Sequence, residues 1–423
     1  MKTKVTIVGG ATGREHAFAK QFAQQGNHEI TSILWADNPF VRDLSTNYSV
    51  INLDDIVAVH AEVLRTRPDY VVVGQGEVTQ RGIRDLLDKD GIPCIAPTQE
   101  MARIEGSKSF FRGVVESLDP NLVPRYEVFT EYTTRVDDFI ASLGDKVVIK
   151  KDSTVSGPRV RIYDLANGLE EALKDAKDWI QQDGKIVVEE FFEGKEVAIM
   201  SFTDGRYLVH SPPFRNHKRI YDGDEGENTS GMGTLTTGEY LPFMTKQINL
   251  RMQGITEQLL GWIRSNHESN YRGSLYGEFL VNGNEIKVIE YNCRFGNPSS
   301  MNLIALMKQN FADVCEAIIN GSVSQLGEIW REGHSLSAYV VPAGYPYTKE
   351  NVGAEIDFSK VDPNLFFCGN MNFKDGAPKL KRSRGFAICA VGNSIDEVRG
   401  KVYGELEKVE GPIHYRKDMG LIF

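Results

Sequence analysis

Apolar and polar positions follow two textures along the chain. In the first hundred or so residues, short continuous apolar runs alternate with longer amphipathic ones. Lys4 to Val8 reads as a buried strand, Gly9-Gly10-Ala11-Thr12-Gly13 as a tight turn, and Arg14 to Gln25 as a helix. The unit repeats through Ile30 to Trp35, Ile56 to Arg67, Tyr70 to Val73 and Ile83 to Asp90, and such alternation predicts an open parallel sheet. Near Thr98 the texture changes. Ile104 to Lys108 opens a helix, Val147 to Lys150 is a strand ending in a lysine, and Leu169 to Gln181 is a helix leading to the strand Ile186 to Glu190. Asn302 to Asn320 reads as one amphipathic helix. From about Ser335 a final module of short strands, Ala338 to Val341 and Phe386 to Ala390, with a helix from Ile395 to Val409, predicts a small α+β cap.

The most informative pattern lies between Gly273 and Pro298. Two alternating runs, Leu275 to Val281 and Ile286 to Tyr291, flank Asn282-Gly283-Asn284, the sequence form of a tight hairpin. Each run carries one acid among apolar neighbours, so Glu278 and Glu290 sit on adjoining strands, and Asn292 shares a face with Glu290. Three hard oxygen donors on one face suit Mg2+, and Arg294 just beyond them suits a phosphate or carboxylate substrate. A surface hairpin with solvated acids is the plainer reading of the same pattern.

Other stretches have the chemistry of anion sites. A glycine turn entering a helix exposes backbone N–H groups, although Gly9 to Gly13 lacks the full GxGxxG spacing. Asp37 stands where a dinucleotide fold keeps its ribose-binding acid, which leaves a nicotinamide enzyme open. Ser153 to Arg159 is a small-residue loop with a cation, of the kind that folds over phosphates. Arg215 to Arg219, then Asn228-Thr229-Ser230-Gly231-Met232-Gly233, read as a cation cluster and a glycine-rich polar loop. The basic run Lys379 to Arg384 is either a solvated face or a segment reaching back toward a substrate phosphate.

Composition narrows the class. A chain of 423 residues with formal charge -10 is of ordinary globular make-up and argues against a nucleic-acid partner. Its five cysteines are odd in number and form no CxxC pair, against a disulfide framework or structural zinc. No apolar run is long enough for a signal peptide or a membrane span, so a cytoplasmic location is expected.

Taken together these stretches resemble the phosphoribosylamine-glycine ligases of the ATP-grasp superfamily, in the family's order along essentially the whole chain. Gly13-Arg14-Glu15-His16-Ala17 is similar to the family's GREHA turn, and Ile104-Glu105-Gly106-Ser107-Lys108 to its LEGSK. Glu189-Glu190-Phe191 with Gly194 and Glu196 resembles EEFLxGxE. His217 to Gly233 resembles DHKR through GGMG, and Glu290 to Gly296 resembles EFNCRFG.

The resemblance implies an α/β architecture in three parts: an N-terminal open parallel-sheet domain over 1–103, central ATP-grasp α+β domains over 104–333 with a lid at about 120–192, and a C-terminal α+β cap over 334–423. It implies ATP-dependent joining of glycine to 5-phosphoribosylamine through glycyl phosphate, with Mg2+ or Mn2+, in a monomer or weak homodimer. Lys108 and Lys150 would contact the ATP phosphates. The Glu189, Glu190, Phe191 and Phe192 backbone would hold adenine, and Glu196 the ribose. Glu278, Glu290 and Asn292 would bind the metal, while Arg294, Lys150 and Arg159 would serve the reaction. Gly10, Gly13, Arg14, Glu15, His16, Lys218, Asn228, Thr229, Gly231, Met232, Gly233 and Arg294 would face the substrates.

Departures from the family pattern fall at Gly74 to Thr79, Lys151 to Val160, Asn297-Pro298-Ser299 and Ser383-Arg384-Gly385. Glu278 stands where the family commonly has glycine, although other ATP-grasp enzymes keep an acid on that strand as a metal ligand. Two other readings follow from these changes: a carboxylate-amine ligase with another amino acid or amine, and a nucleotide-binding protein without catalysis.

Overall fold

The computed structural model describes residues 2–152, 160–373 and 376–421. Five short parallel strands form the first sheet, ordered 47–50, 28–34, 3–9, 70–73 and 94–95. The alternation of buried strands with helices such as Gly13–Gln25 and Ile56–Thr66 produces this sheet, because parallel neighbours need a crossover between them.

An antiparallel sheet of four strands follows, ordered 126–129, 186–190, 146–151 and 160–164. The helix Leu165–Asp183 packs on it, burying Ala172, Ala176, Trp179 and Ile180. The largest sheet has ten strands. Its main order is 285–292, 273–282, 195–203, 214–221, 225–236, 334–342, 386–392 and 366–368. Phe191 to Gly194 links the two antiparallel sheets, since Ile186–Glu190 ends in one and Lys195–Thr203 begins in the other.

Several elements differ from the sequence expectation. The stretch 302–320 is two helices, Ser299–Ala305 and Phe311–Asn320. Between them the Lys308 amide donates to the Ile329 carbonyl at 2.7 Å, and the Asn310 side chain caps the second helix on Ala312 N at 2.8 Å. A local polar cap and a strand-like bridge to Trp330 win over the helical period here. Residues 228–233 are not a loop but part of the strand Glu225–Thr236. Their small side chains permit close strand packing: a Cβ at Gly233 would lie 2.4 Å from the Ser337 carbonyl oxygen. The last helix stops at Leu406. The expected anion loop at 153–159 lies outside the described residues.

The C-terminal strands are not a free-standing module. The strand His334–Pro342 pairs with 233–236 on one side and with 386–392 on the other, so the central sheet runs on into the cap. Tyr339, Ala387 and Cys389 share a core with Phe18, Phe22 and Phe311 from the other parts of the chain.

Removing residues 334–423 would strip the 225–236 strand of a partner and open that core. Such a truncation is expected to be recovered unfolded or aggregated. A soluble truncation with the cooperative melting of the full chain would contradict this.

Candidate active site

The central hairpin is made by the antiparallel strands Gly273–Asn282 and Glu285–Asn292, and Gly283 at φ 56° makes the turn. Glu278 pairs directly with Glu290, and Tyr276 with Asn292. The register contains a step, because Phe279 pairs with Val288 and leaves Ile289 as an extra residue. This β-bulge determines where the acids point. Ile286 and Val288 are buried before it, and Tyr291 and Cys293 after it, so the inward parity changes by one. Without the extra residue, Glu290 and Asn292 would follow Ile286 and Val288 into the core.

Arg112, on the helix Lys108–Leu118, holds the bulge. Its Nη1 donates to Val288 O at 2.9 Å and its Nη2 to Ile289 O at 3.1 Å. The same guanidinium grips Glu189 through Nε at 2.6 Å and Nη2 at 2.9 Å, and Glu189 in turn receives Lys150 Nζ at 2.7 Å. Burial alone would raise the Glu189 pKa, but Arg112 and Lys150 outweigh it and bring it to about 2. Burial, then the neighbouring Arg112 charge, lowers Lys150 to about 8. Sequence reasoning missed Arg112. The consecutive apolar pair Val288-Ile289, which breaks the alternation, was the available signal.

A row of charges crosses the open face of the hairpin. Glu290 is ion-paired with Lys108, and Lys218 Nζ reaches Glu278 at 2.7 Å and Glu196 at 3.2 Å. Glu278 also accepts from Tyr276 Oη at 2.6 Å and Asn216 Nδ2 at 3.2 Å. Burial opposes ionisation of Glu290, yet Lys108 and Lys218 hold it far below the usual carboxylate range. Burial likewise opposes the charge on Lys218, and Glu196 and Glu278 together raise its pKa well above normal. Arg294 Nη2 donates to Asn292 Oδ1 at 3.0 Å, and its Nε is fixed by Glu105 at 3.0 Å.

The remaining expected residues divide into two groups. Gly10 and Gly13 lie in the turn that meets the end of the hairpin: Gly13 N donates to Tyr339 Oη at 3.2 Å, and Arg14 Nη1 donates to Phe295 O at 2.9 Å. Thr229 Oγ1 donates to Lys218 O at 2.8 Å and accepts from Gly231 N, while Gly233 pairs with His217 and Asn228 with Arg219. Arg384 folds back from the basic run, donating to the Ser230, Gly231 and Asn297 carbonyls over the Tyr339 ring.

Glu15, His16 and Met232 are not presented to open space. Glu15 completes the helix capping box with Thr12 and holds Arg14. His16 Nδ1 accepts from Cys368 N at 2.9 Å, and burial lowers its pKa to about 3. Met232 packs with Ile220 and Val341. Asp37 is an exposed partner of Arg42. Phe191 and Phe192 lie at the link between the sheets, and each has a lysine over its ring: Lys146 at 5.1 Å and Lys287 at 5.6 Å from the centroid. Arg159 lies outside the described residues.

The oxygens of Glu278, Glu290 and Asn292 fit a hard divalent cation. Two carboxylates are directly opposed, an amide oxygen lies beside them, and side-chain cations already answer their charge. Among the described residues no cluster of three or more His, Cys, Asp or Glu forms a metal site, and here the third donor is an amide.

Comparison with known proteins adds an independent line. A model described as phosphoribosylglycinamide synthetase, N domain, matches residues 3–105, and its ATP-grasp (A) domain counterpart matches residues 106–300. The phosphoribosylamine–glycine ligase of Methanocella arvoryzae is 32% identical, the match covering 99% of this chain and 96% of the relative. That of Methanococcus maripaludis is 31% identical at the same coverage. Among solved structures, the Thermotoga maritima phosphoribosylamine–glycine ligase superposes with a TM-score of 0.82 at 26% identity, over 98% of this chain and all (100%) of that one. The biotin carboxylase domain of Hydrogenobacter thermophilus 2-oxoglutarate carboxylase, solved with MgADP, has the same fold. Its TM-score is 0.77 at 12% identity, over 98% of this chain and 92% of that one.

The geometry around Arg112 makes a stability prediction. Arg112→Met would leave Glu189 with Lys150 alone and release two bulge carbonyls, at an expected cost of about 3 kcal/mol. Arg112→Lys restores the charge but not the fork and should lose less. Equal melting of Arg112→Met and wild type in chemical denaturation would refute this.

Proposed function

The chain belongs to the phosphoribosylglycinamide synthetase family, and on that premise we propose how its residues carry out the family reaction. That reaction is the ATP-dependent joining of glycine to 5-phosphoribosylamine in purine biosynthesis, giving glycinamide ribonucleotide, ADP and phosphate. The observation that carries the residue-level reading is a set of three ion pairs, Lys150 with Glu189 beside the link between two sheets, and Lys108 with Glu290 and Lys218 with Glu278 on the open face of the hairpin.

A carboxylate does not condense with an amine in neutral water, because its oxygen is a poor leaving group. One glycine carboxylate oxygen attacks the γ-phosphorus, the bond to the β,γ-bridging oxygen breaks, and ADP departs. The amine nitrogen of 5-phosphoribosylamine then attacks the acyl carbon of glycyl phosphate. The carbon–oxygen bond to phosphate breaks and the nitrogen gives up one proton. No protein nucleophile takes part; positioning and charge neutralisation do the work.

Lys108 and Lys150 bring positive charge to the triphosphate. The backbone of 189–192 receives the adenine where the two sheets meet, and Glu196 the ribose. Arg294, held square by Glu105, meets the reacting carboxylate. The turn at Gly10 to Arg14, the 228–233 strand and Lys218 form the side that receives the amine. Glu290 and Asn292, with Glu278 opposite, would hold Mg2+, which supplies neutralisation of the phosphate oxygens when bound.

Purified protein with Mg2+ and ATP is expected to release ADP only when glycine and freshly generated 5-phosphoribosylamine are both present. Release that requires a different acid or amine would overturn the acceptor assignment. Glu290→Ala should lower kcat by about 100-fold or more with the fold retained by circular dichroism, and near-normal turnover would remove the metal assignment. Because Lys150 carries its charge below a pKa of about 8 and loses it above, kcat/KM for MgATP should be level below pH 8 and decline above it. A profile level well beyond pH 8 would show that Lys150 does not act as a cation toward ATP.

A further inference from the structure

Every donor of the proposed metal set is already engaged by a side-chain cation. Glu290 Oε2 is ion-paired with Lys108. Glu278 Oε2 accepts from Lys218 at 2.7 Å, while its other oxygen takes Tyr276 and Asn216. Asn292 Oδ1 accepts from Arg294 at 3.0 Å. The only further bond to Glu290 among the described residues is a long one, 3.3 Å, from Asn292 Nδ2 to Oε1. The lysine side chains are about three-quarters covered, at 20% and 26% exposure, so moving Lys108 off Glu290 leaves an ammonium short of both water and counter-charge, and moving Lys218 off Glu278 leaves it with Glu196 alone.

A free divalent ion entering this row therefore meets two ammonium groups and a guanidinium; Lys218 and Arg294 keep Glu196 and Glu105 when displaced, but Lys108 has no second acid partner among the described residues. A triphosphate alters the balance, because its oxygens offer Lys108 a new partner as the metal arrives with it, while Lys218 keeps Glu196. We propose that Lys108 and Lys218 are selectivity residues: they make the site accept the metal–nucleotide complex and refuse the free divalent ion. This rests on the metal assignment of the preceding section but not on which acid or amine is joined. It also accounts for the pairing of each acid with one lysine, Lys108 and Lys218 standing for the cation until it arrives with the nucleotide.

The test is a titration of the intact protein with Mn2+, followed by the electron paramagnetic resonance signal of the free ion. It is run with and without a non-hydrolysable ATP analogue. Wild type without nucleotide should leave Mn2+ free at concentrations where the analogue complex binds it. Lys108→Met, with Glu290 unpaired, should bind Mn2+ without nucleotide about tenfold or more tightly than wild type, yet hold the analogue more weakly. Lys218→Met should shift nucleotide-free Mn2+ binding in the same direction, which guards against a folding defect in one variant. Lys108→Arg, which keeps the charge, should keep the block. The proposal is overturned if wild type and both methionine variants bind Mn2+ alike without nucleotide, or if wild type takes up Mn2+ equally well with and without the analogue. The expected Mn2+ pattern alongside failure of the ligase assay would support this inference while removing the reaction assignment.

Discussion

A single inserted residue in one strand determines which way the polar residues at the end of the hairpin face. Ile289 has no partner across the hairpin, and that offset turns Glu290 and Asn292 from the apolar side to the polar side. A bulge is a local disruption of the ladder, and its two carbonyls need donors when buried. Arg112 supplies both, and with its remaining N–H groups it fixes the carboxylate that holds Lys150. One buried guanidinium thus relates the paired acids of one sheet to Lys150 of the other. The charge row depends on it even though Arg112 lies beneath the row and not in it.

The electrostatics of the site follow from compactness. Lys108, Lys150, Lys218, Arg112 and Arg294 each lie against a carboxylate or an amide oxygen. Burial would push the acids toward neutrality and the lysines toward deprotonation, and mutual pairing decides the outcome differently at each position. Glu189 and Glu290 stay ionised, Lys218 is reinforced by two carboxylates, and Lys150, beside the Arg112 cation, is left with the softest charge. Position within the cluster, more than residue type, sets the behaviour of each lysine.

Much of this was legible in the chain itself. The parallel N-terminal sheet follows from its buried strand runs, and the hairpin from its turn and alternation. The motif series led to the family that the comparisons show. What escaped the sequence has common physical causes. The 228–233 segment looks like a loop because its residues are small and polar, yet the strand needs a glycine at 233, where a Cβ would lie 2.4 Å from the Ser337 carbonyl oxygen. The break between Ala305 and Phe311 depends on Ile329 and Trp330, which no helical period can anticipate. Arg112, Glu105 and Asn216 act through partners far away in sequence, so nothing near them signals their task. The burial of His16 and Glu15 likewise depends on Cys368 and on the capping geometry rather than on the motif that contains them.

The sheet from the hairpin through the 334–342 strand to the cap is continuous, narrowing to the single residue pair Ala198–Phe214 between the 195–203 and 214–221 strands. Inter-strand steps of about 4.8 Å, five for Glu278 and six for Glu290, put the acids about 24 and about 29 Å from the 386–392 strand in one continuous sheet. Bending it at the broader pairings means breaking several backbone hydrogen bonds together, whereas the short covalent bridge at 191–194 crosses between separate sheets. Any relative motion of the two antiparallel sheets is thereby given a hinge at the 191–194 link, while the hairpin acids and the cap strands belong to one sheet.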